Sequence, residues 1–511
     1  MSLTKVSYSM IEGAVVNVVD FGAVGDGITE NSSAFIAALA TLTNGGILFI
    51  PKGEYKISNT IELNDDITVL GEGTATVILG NCPSDNSDTV NGLFAAKNKS
   101  NVTLDSLKII SFAGTGAIRS KFILCSNVQI KNCYLDGNLS DGNILAFPIW
   151  IAGCSTAKII NHTSYNFSDH IYICKSNFDT GTITEQVDVI DSYFENVNLG
   201  TNRAYPTGVY VYYGNYTNVI GCVFKNIAPS LAGSGYAGYG VYEGDGSAID
   251  VSVKNCNFYL TISSPADYIG VLASTTDIFS CVGCSFVGTS SYVLRVGVVN
   301  GGKSSIVNDN IYRYCTFGIF MSVASTYTGY RNLIVAGNSV ENSTTGIRIG
   351  DGSWDIQNVN VANNVVKNCT QTGILFNVIG NYNVVCSNNL IENVNTSNGS
   401  TEPFESGINF FGSTPTGVVS GNFVINDSGV GYARYGINIA NADYPLTITN
   451  TNSFSGMITG GVRNNQAIPT TGSWVKGDTR WNWNATSGQP MGWVCTTSGS
   501  PGTWAAMANL S

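Results

Sequence analysis

The sequence predicts an all-β solenoid, in which a repeated coil of short parallel strands forms most of the chain. The 511 residues include 58 glycines and only 12% charged residues, which is typical of one repetitive β architecture rather than of several ordinary domains. Glycines recur in strand-like segments at intervals of 27 to 34 residues, apart from one interval of 48 that we expect to span two turns. We interpret the turn near Arg295 as the one that lacks the glycine. The recurring glycines are Gly208, Gly240, Gly270, Gly318, Gly346, Gly373, Gly407 and Gly436.

The N-terminal part has the pattern of a cap. Residues 1–16 are expected to form a tether, and residues 17–100 a cap with the first turns of the coil. Here a strand gives way to a Gly-rich turn and then, after a candidate N-cap at Asn31, to a short amphipathic helix. The GDG around Asp26 lacks the later Lys-Ser/Thr of a phosphate-binding loop, so we predict a turn there.

The block DFGAVGDG, with the following GG-x-x-x-x-P-x-G-x-Y, resembles the N-terminal signature of the pectate-lyase-like superfamily, as found in bacteriophage tailspikes and capsule depolymerases. The resemblance implies a right-handed, single-stranded parallel β-helix with a short N-terminal capping helix. It also implies a homotrimeric protein of the phage virion tail, assembled in the bacterial host cytoplasm. Its partner would be a bacterial capsular polysaccharide or O-antigen, which it would bind and depolymerise.

A second repeat runs through the predicted β-helix body, residues 101–466. One position of successive turns carries Cys and later changes to Asn, and we predict that stacked Asn amides form a structural hydrogen-bonded ladder there. The 13 cysteines are scattered and are expected to be reduced and buried, although the close pair Cys281 and Cys284 leaves a redox or zinc half-site as an alternative. The repeated residues are Cys133, Cys222, Cys256, Cys284, Asn310, Asn338, Asn364, Asn389 and Asn422.

Residues 467–511 form a different segment with five of the seven tryptophans. The segment resembles a small β module that recurs at the C-termini of phage tailspikes. A small domain needs large aromatic residues for its core, which favours a structural, trimer-stabilising cap, and sugar binding by these tryptophans is the alternative.

An aromatic column is the main candidate for ligand binding. Alternation along the strands places Val209, Val211 and Val241 inside the coil and the neighbouring aromatic residues outside. Such a column suits the stacking of sugar rings, and cover by loops or by a neighbouring subunit is the alternative. The predicted substrate-binding aromatic residues are Trp150, Tyr172, Tyr210 and Tyr242.

Carboxylates near this column are candidate catalysts, because glycoside hydrolysis uses one acid to protonate the leaving oxygen and a second carboxylate as base or nucleophile. Glu243 falls at a position where neighbouring turns carry apolar residues, so an inward side chain would be a desolvated acid, and a local bulge would instead turn it to solvent. Asp245 and Asp267 are candidate second carboxylates. Asp169 with His170 is the candidate pair for acid/base assistance.

The composition and a few individual residues bear on the other possible classes of function. The net charge of −11 argues against nucleic acid as a partner, no apolar run or leader indicates a membrane segment, and we expect no cofactor or metal. A lyase acting by β-elimination on a uronate glycan is an alternative to the hydrolase, with Arg295 as a candidate substrate-binding cation. Arg348, Asp351 and Trp354 form a secondary sugar-site candidate, whose alternative is a solvated loop turn. A non-catalytic adhesive β-helix is the third alternative.

Overall fold

The computed structural model describes most of the chain, in segments separated by gaps. The chain divides into two compact units, Met1–Asp277 and Ile278–Ser511. The described residues are 13–82, 89–111, 119–137, 147–176, 181–196, 205–229, 237–244, 248–262, 267–274, 276–291, 293–300, 303–321, 332–352, 356–378, 382–396, 406–412, 415–427, 429–439, 446–449, 451–457, 460–463, 468–470, 474–482 and 485–511.

The first unit is a stack of coil turns built from parallel β-strands, which confirms the predicted parallel β-helix. Each turn of its body adds one strand to a sheet that we call the column sheet, because it carries the aromatic column. The strands of the column sheet in this unit are Ile61–Glu62, Phe94–Lys97, Ser120–Ile123, Ile149–Ala152, Asp169–Cys174, Thr207–Val211, Ala237–Glu243 and Asp267–Ala273. The other parallel strands are Val15–Asn17, Asp26–Glu30, Gly46–Phe49, Gly53–Ile57, Ile67–Gly80, Ser100–Ser111, Ser126–Lys131, Tyr134–Asp136, Thr156–Ile160, Thr163–Tyr165, Thr184–Ile190, Tyr193–Glu195, Gly214–Ile220, Val223–Lys225, Asp250–Lys254 and Asn257–Tyr259.

A short 3₁₀ helix, Val18–Phe21, and the α-helix Ser32–Leu39 cap the start of the coil, as predicted. Asn31 precedes the α-helix, but its side chain does not cap it. Its Oδ1 instead accepts from Val24 N–H at 2.7 Å, because the amide is used to hold the Gly-rich turn. Asp26 opens the irregular strand Asp26–Glu30, and its Oδ1 accepts from the N–H groups of Ile28 and Thr29, so the turn predicted at the GDG is present only as a local side-chain turn at the start of that strand.

The second unit has the same turn architecture and ends in a three-stranded antiparallel sheet, the small C-terminal β module. Its column-sheet strands are Leu294–Asn300, Cys315–Met321, Thr345–Ile349, Ile374–Val378, Ser406–Gly412, Tyr435–Ile439 and Gly460–Arg463. Its other parallel strands are Ile278–Val282, Ser285–Val287, Ser304–Asn308, Ile311–Arg313, Asn332–Ala336, Ser339–Glu341, Asn358–Ala362, Val365–Lys367, Tyr382–Ser387, Leu390–Glu392, Pro415–Ser420, Phe423–Ile425, Leu446–Ile448 and Ser453–Ser455. The antiparallel strands are Thr479–Trp481, Gly492–Thr497 and Thr503–Ala506.

Side-chain packing inside the coil explains why glycine recurs at one position of each turn. A Cβ on Gly208 would lie 2.5 Å from the ring of Phe224, and one on Gly240 would lie 2.4 Å from the ring of Phe258. Gly297 occupies the corresponding place in the turn that was interpreted as lacking glycine, since its Cβ would lie 2.4 Å from the ring of Tyr312. That interpretation is therefore wrong, and the position is glycine because a bulky side chain of the same turn fills the interior.

The predicted amide ladder is confirmed in the second unit. Each buried Asn side chain donates Nδ2–H to Oδ1 of the next one at 2.8 to 3.0 Å, and the ladder extends one turn further, to Asn452. The backbone N–H groups of the Asn residues donate to the same Oδ1 atoms. These buried amides are thus hydrogen-bonded along the coil and are structural.

All thirteen cysteines are buried, and none is in a disulfide, as predicted. In the C-terminal module, Trp474 and Trp493 are buried and Arg480 lies 4.6 Å from the ring centroid of Trp474, so these side chains build a small core. No helix within the described residues is both long enough and apolar enough to span a bilayer.

Candidate functional site

The predicted aromatic column is present in the first unit. Trp150 is the register partner of Tyr172, Tyr172 that of Tyr210, and Tyr210 that of Tyr242, in four successive strands of the column sheet. Val209, Val211 and Val241 are completely buried, as the alternation predicts. The strand pattern therefore identifies the correct residues for the column.

At one end of the column the rings are covered, so the exposed arrangement is wrong there and the alternative of cover by a loop applies. Trp150 is 1% exposed and Tyr172 is 2% exposed, so neither presents a ring face to solvent. Phe147 covers both, with ring centroids at 5.7 Å and 4.4 Å, and the guanidinium of Arg119 lies 4.9 Å from the Trp150 centroid. Burial raises the pKa of Tyr172 far above its usual value. This half of the column is a hydrophobic cluster rather than a sugar platform.

The other half lines an open cleft of about 320 Å³, which we call the tyrosine cleft. Tyr242 stacks on Tyr210 at 5.0 Å and on Tyr239 at 4.6 Å, with interplanar angles of 24° and 19°. The three rings are half-buried, and Tyr205 is 53% exposed. The described residues that line the tyrosine cleft are Asp169, Tyr205, Thr207, Tyr210, Tyr239 and Tyr242.

Asp169 is the one carboxylate among the described lining residues of the tyrosine cleft. It opens the strand Asp169–Cys174 and is 9% exposed, and its Oδ2 accepts from Ser168 Oγ–H at 3.2 Å. Its register partner is Thr207, and the partner of Thr207 is Tyr239. A carboxylate with little solvent contact beside stacked phenol rings can accept hydrogen bonds from sugar hydroxyls or exchange a proton with a bound glycan.

Sequence reasoning missed Tyr205, Thr207 and Tyr239. A usable signal exists for two of them. Thr207 and Tyr239 directly precede the recurring Gly208 and Gly240, and this position of the repeat is the one that Asp169 occupies in its own turn. No comparable repeat signal identifies Tyr205, which precedes the strand Thr207–Val211.

Glu243 lies on the buried side of its strand. Its register partners are Val211 and Ala273, and its own side chain is 0% exposed. Oε2 accepts from Ser274 N–H at 2.8 Å, and Ser274 Oγ–H donates to the Glu243 carbonyl at 2.9 Å. Regular alternation after the outward Tyr242 puts Glu243 inside, so the inward alternative is the one observed and the outward bulge is wrong. The carboxylate is bound to backbone on the face opposite the stacked tyrosines, so the structure does not bring it into the tyrosine cleft as a catalyst.

The pairing of Asp169 with His170 is also wrong. His170 is 0% exposed, and its Nδ1 lies 2.7 Å from Ser164 Oγ. The imidazole packs edge-on against Phe167 and Phe194, at centroid distances of 5.7 and 5.6 Å. Consecutive strand residues point to opposite faces, so Asp169 faces the tyrosine cleft and His170 faces the core.

The remaining predicted residues are not joined to the tyrosine cleft by any described contact. Asp245 lies outside the described residues, but a Cβ on the preceding Gly244 would lie 3.0 Å from the Tyr210 ring and 3.2 Å from the Tyr242 ring. Asp267 is half-buried and opens the strand Asp267–Ala273. Arg295 is exposed on the strand Leu294–Asn300 of the second unit. Roles for these three residues stay predictions.

Comparison with known proteins gives local sequence matches to carbohydrate-active proteins. The family profile "Rhamnogalacturonase A/epimerase, pectate lyase-like" matches residues 15–223, which is less than half of the chain. Mannuronan C5-epimerase AlgE1 of Azotobacter vinelandii is 41% identical over 66 residues, 12% of this chain and 5% of the relative. Probable rhamnogalacturonase C of Aspergillus niger is 43% identical over 47 residues, 9% of this chain and 10% of the relative. The chain thus matches only a tenth or less of the length of these two relatives.

Among solved structures, tailspike protein 3 of bacteriophage CBA120 matches with a TM-score of 0.51 at 13% sequence identity, over 97% of this chain and 70% of that one. At this identity the likeness concerns the fold alone. Residues 15–223 are thus similar to the pectate-lyase-like family, and the stacked parallel strands have the parallel β-helix fold.

Proposed function

We propose that the protein binds and cleaves a bacterial surface polysaccharide in the tyrosine cleft, acting as a glycoside hydrolase. The observation that carries the proposal is the position of Asp169, a nearly buried carboxylate, beside the stacked rings of Tyr210, Tyr239 and Tyr242. Stacked phenol rings suit the C–H faces of sugars, and an open cleft on a long coil suits an extended chain better than a small molecule.

Hydrolysis needs a second carboxylate besides Asp169. We propose Asp245 for this role, because it follows Gly244 directly in the sequence and Gly244 lies against the rings of Tyr210 and Tyr242. In this scheme one carboxyl donates a proton to the leaving glycosidic oxygen as the bond to the anomeric carbon breaks. The other carboxylate either takes a proton from the water that attacks the anomeric carbon, or attacks that carbon itself to form a glycosyl ester that water then hydrolyses.

The similarity in fold to a bacteriophage tailspike suggests where to look for the substrate. We propose a homotrimer in a phage tail, with capsular polysaccharide or O-antigen as the substrate. The mass of the assembly in solution tests the trimer, and a monomeric mass would contradict it.

The cleavage test is a panel of purified capsular and O-antigen glycans, with reducing ends and product masses as the readout. We expect one glycan to be cut, with Asp169→Asn and Asp245→Asn each losing at least a hundredfold in rate while still binding the glycan. Asp188→Asn serves as the carboxylate control and is expected to retain the rate, because Asp188 lies on the strand Thr184–Ile190, outside the column sheet, and is not among the described residues that line the tyrosine cleft. Products with the ultraviolet absorbance of an unsaturated uronate would instead identify a lyase. Tight binding without any fragments would identify an adhesin.

A further inference from the structure

Arg348 is a half-buried cation held against two aromatic rings in the second unit. Its guanidinium carbon lies 4.8 Å from the ring centroid of Phe320 and 5.5 Å from that of Phe317. Phe320 and Arg348 are register partners in neighbouring strands of the column sheet, so both side chains leave the same face of the coil. Cation–π contact fixes the plane of the guanidinium group over the rings.

One nitrogen of the guanidinium is used within the protein. Nε–H donates to the carbonyl of Gly350 at 3.1 Å. Within the part of the chain that the structure describes, Arg348 forms no ion pair with an N···O distance of 4.0 Å or less, and Asp351 attracts it electrostatically. Burial lowers the pKa of Arg348, with the attraction of Asp351 as a smaller opposing effect. A partly desolvated cation whose attraction to a neighbouring carboxylate is weaker than the effect of burial is stabilised further by an incoming anion.

The backbone of the turn beside Arg348 is fixed by hydrogen bonds to its neighbours. Gly350 and Gly352 both have left-handed backbone, with φ of +80° and +86°, and they bracket Asp351. Gly350 N–H donates to the Met321 carbonyl at 2.7 Å and Gly352 N–H to the Asn377 carbonyl at 2.9 Å. Hydrogen bonds to two neighbouring turns therefore hold the carbonyl that orients Arg348.

Further groups for sugar recognition lie on the same face. The next strand carries Asn377, which is half-buried, and its register partner Phe411, which is 43% exposed. An amide can pair with a sugar hydroxyl, an aromatic face can pack on sugar C–H groups, and a guanidinium can hold a carboxylate with two parallel hydrogen bonds. The combination matches an acidic sugar better than a neutral one.

We propose that Arg348, with Phe317, Phe320 and Asn377, forms a second glycan-binding site, specific for a carboxylate-bearing sugar such as a uronate. The site lies wholly within the second unit, and it does not depend on cleavage in the tyrosine cleft. It would retain an acidic glycan chain on the coil without taking part in the chemistry.

The test uses D-glucuronate and D-glucose as probes, since the two differ in the carboxylate. Ligand-observed NMR on the whole chain should detect glucuronate binding and at least tenfold weaker glucose binding. Arg348→Gln should weaken glucuronate binding at least tenfold, and Phe320→Ala should weaken it to a smaller degree. Arg313→Gln is the matched control, because Arg313 is an exposed arginine of the same unit that pairs with Glu341 at 3.3 Å. It should change nothing.

Several outcomes would overturn the proposal. They are equal binding of glucose and glucuronate, unchanged glucuronate binding in Arg348→Gln, and inorganic phosphate binding as tightly as glucuronate with no loss in Phe320→Ala. Asp169→Asn in the tyrosine cleft should leave glucuronate binding intact, so failure of this site and failure of the proposed cleavage are separable. Thermal unfolding of each variant verifies that it is folded, and Phe320→Ala provides a second route if Arg348→Gln does not fold.

Discussion

Tyr210 and Tyr242 stack across neighbouring turns at a centroid distance of 5.0 Å and an interplanar angle of 24°, and Gly244 lies against both rings. The stack continues to Tyr239 on one side, while on the other side Tyr210 meets the buried Tyr172 edge-on at 5.2 Å. The column thus changes from a buried cluster to a cleft wall between Tyr172 and Tyr210.

The cleft wall should contribute directly to glycan binding. We expect Tyr242→Ala to weaken binding of the substrate glycan by roughly tenfold, the equivalent of about 1.4 kcal/mol, because it removes a ring that two others stack on. The measurement is equilibrium binding to the glycan identified by the panel. Tyr216→Ala is the control, since Tyr216 is 46% exposed and is not among the described residues of the tyrosine cleft. Equal losses in both variants would contradict the assignment.

The buried amide ladder should carry a large share of local stability. Asn364 Oδ1 accepts from Asn338 Nδ2–H, and its own Nδ2–H donates to Asn389 Oδ1 and to the Val335 carbonyl. Asn364→Ala leaves several of these buried groups without a partner, so we expect the free energy of unfolding to fall by about 3 kcal/mol. Denaturant unfolding measures the change.

The exposed amide row of the same unit supplies the control for the ladder. Asn358 donates to Asn332 at 3.0 Å and accepts from Asn383 at 3.1 Å, in contact with solvent. Water replaces these bonds, so Asn358→Ala should cost less than about 1 kcal/mol. A loss as large as that of Asn364→Ala would show that burial is not the cause.

Replacing the recurring glycine even by alanine should destabilise the protein. A methyl group at Gly240 would lie 2.4 Å from the Phe258 ring and 2.7 Å from the carbonyl oxygen of Gly270, so it meets backbone as well as side chain. We expect Gly240→Ala to destabilise the protein by about 2 kcal/mol or more, measured by thermal unfolding. Gly214→Ala, whose Cβ meets nothing closer than 3.1 Å, should cost clearly less, and similar losses would contradict the steric explanation.

His162 should make stability sensitive to acid. Its imidazole is 0% exposed, and burial lowers its pKa to about 3 from the usual 6.5. Between these two pKa values the unfolded chain binds a proton that the folded chain does not, so acid favours the unfolded chain. The contribution of His162 to the free energy of unfolding is therefore fully present above pH 6.5 and is lost as the pH falls toward 3. We expect the free energy of unfolding to fall by about 3 kcal/mol between pH 6.5 and pH 4 through this residue.

The check on His162 is a comparison of unfolding free energy against pH for the protein and for His162→Gln. Carboxylates titrate over the same range in both proteins, so the difference between the two curves isolates the histidine. An unchanged slope in His162→Gln would contradict the assignment.

Much of the fold is readable in the sequence because a coil repeats its packing every turn. The glycine spacing, the Cys-to-Asn position and the register of Trp150, Tyr172, Tyr210 and Tyr242 all follow from one-dimensional periodicity. Gly297 does not follow from the spacing, because it lies only 21 residues before Gly318, whereas the other single turns span 27 to 34 residues.

The sequence by itself determined which residues share a position on successive turns, because that depends on periodicity alone. Only the tertiary structure decided what covers each position. Phe147, which lies outside the column strands, buries Trp150 and Tyr172, and nothing in the repeat predicts that contact. Strand alternation then divides Asp169 from His170 and Tyr242 from Glu243, so Asp169 lines the tyrosine cleft with Tyr210, Tyr239 and Tyr242 while His170 and Glu243 are buried.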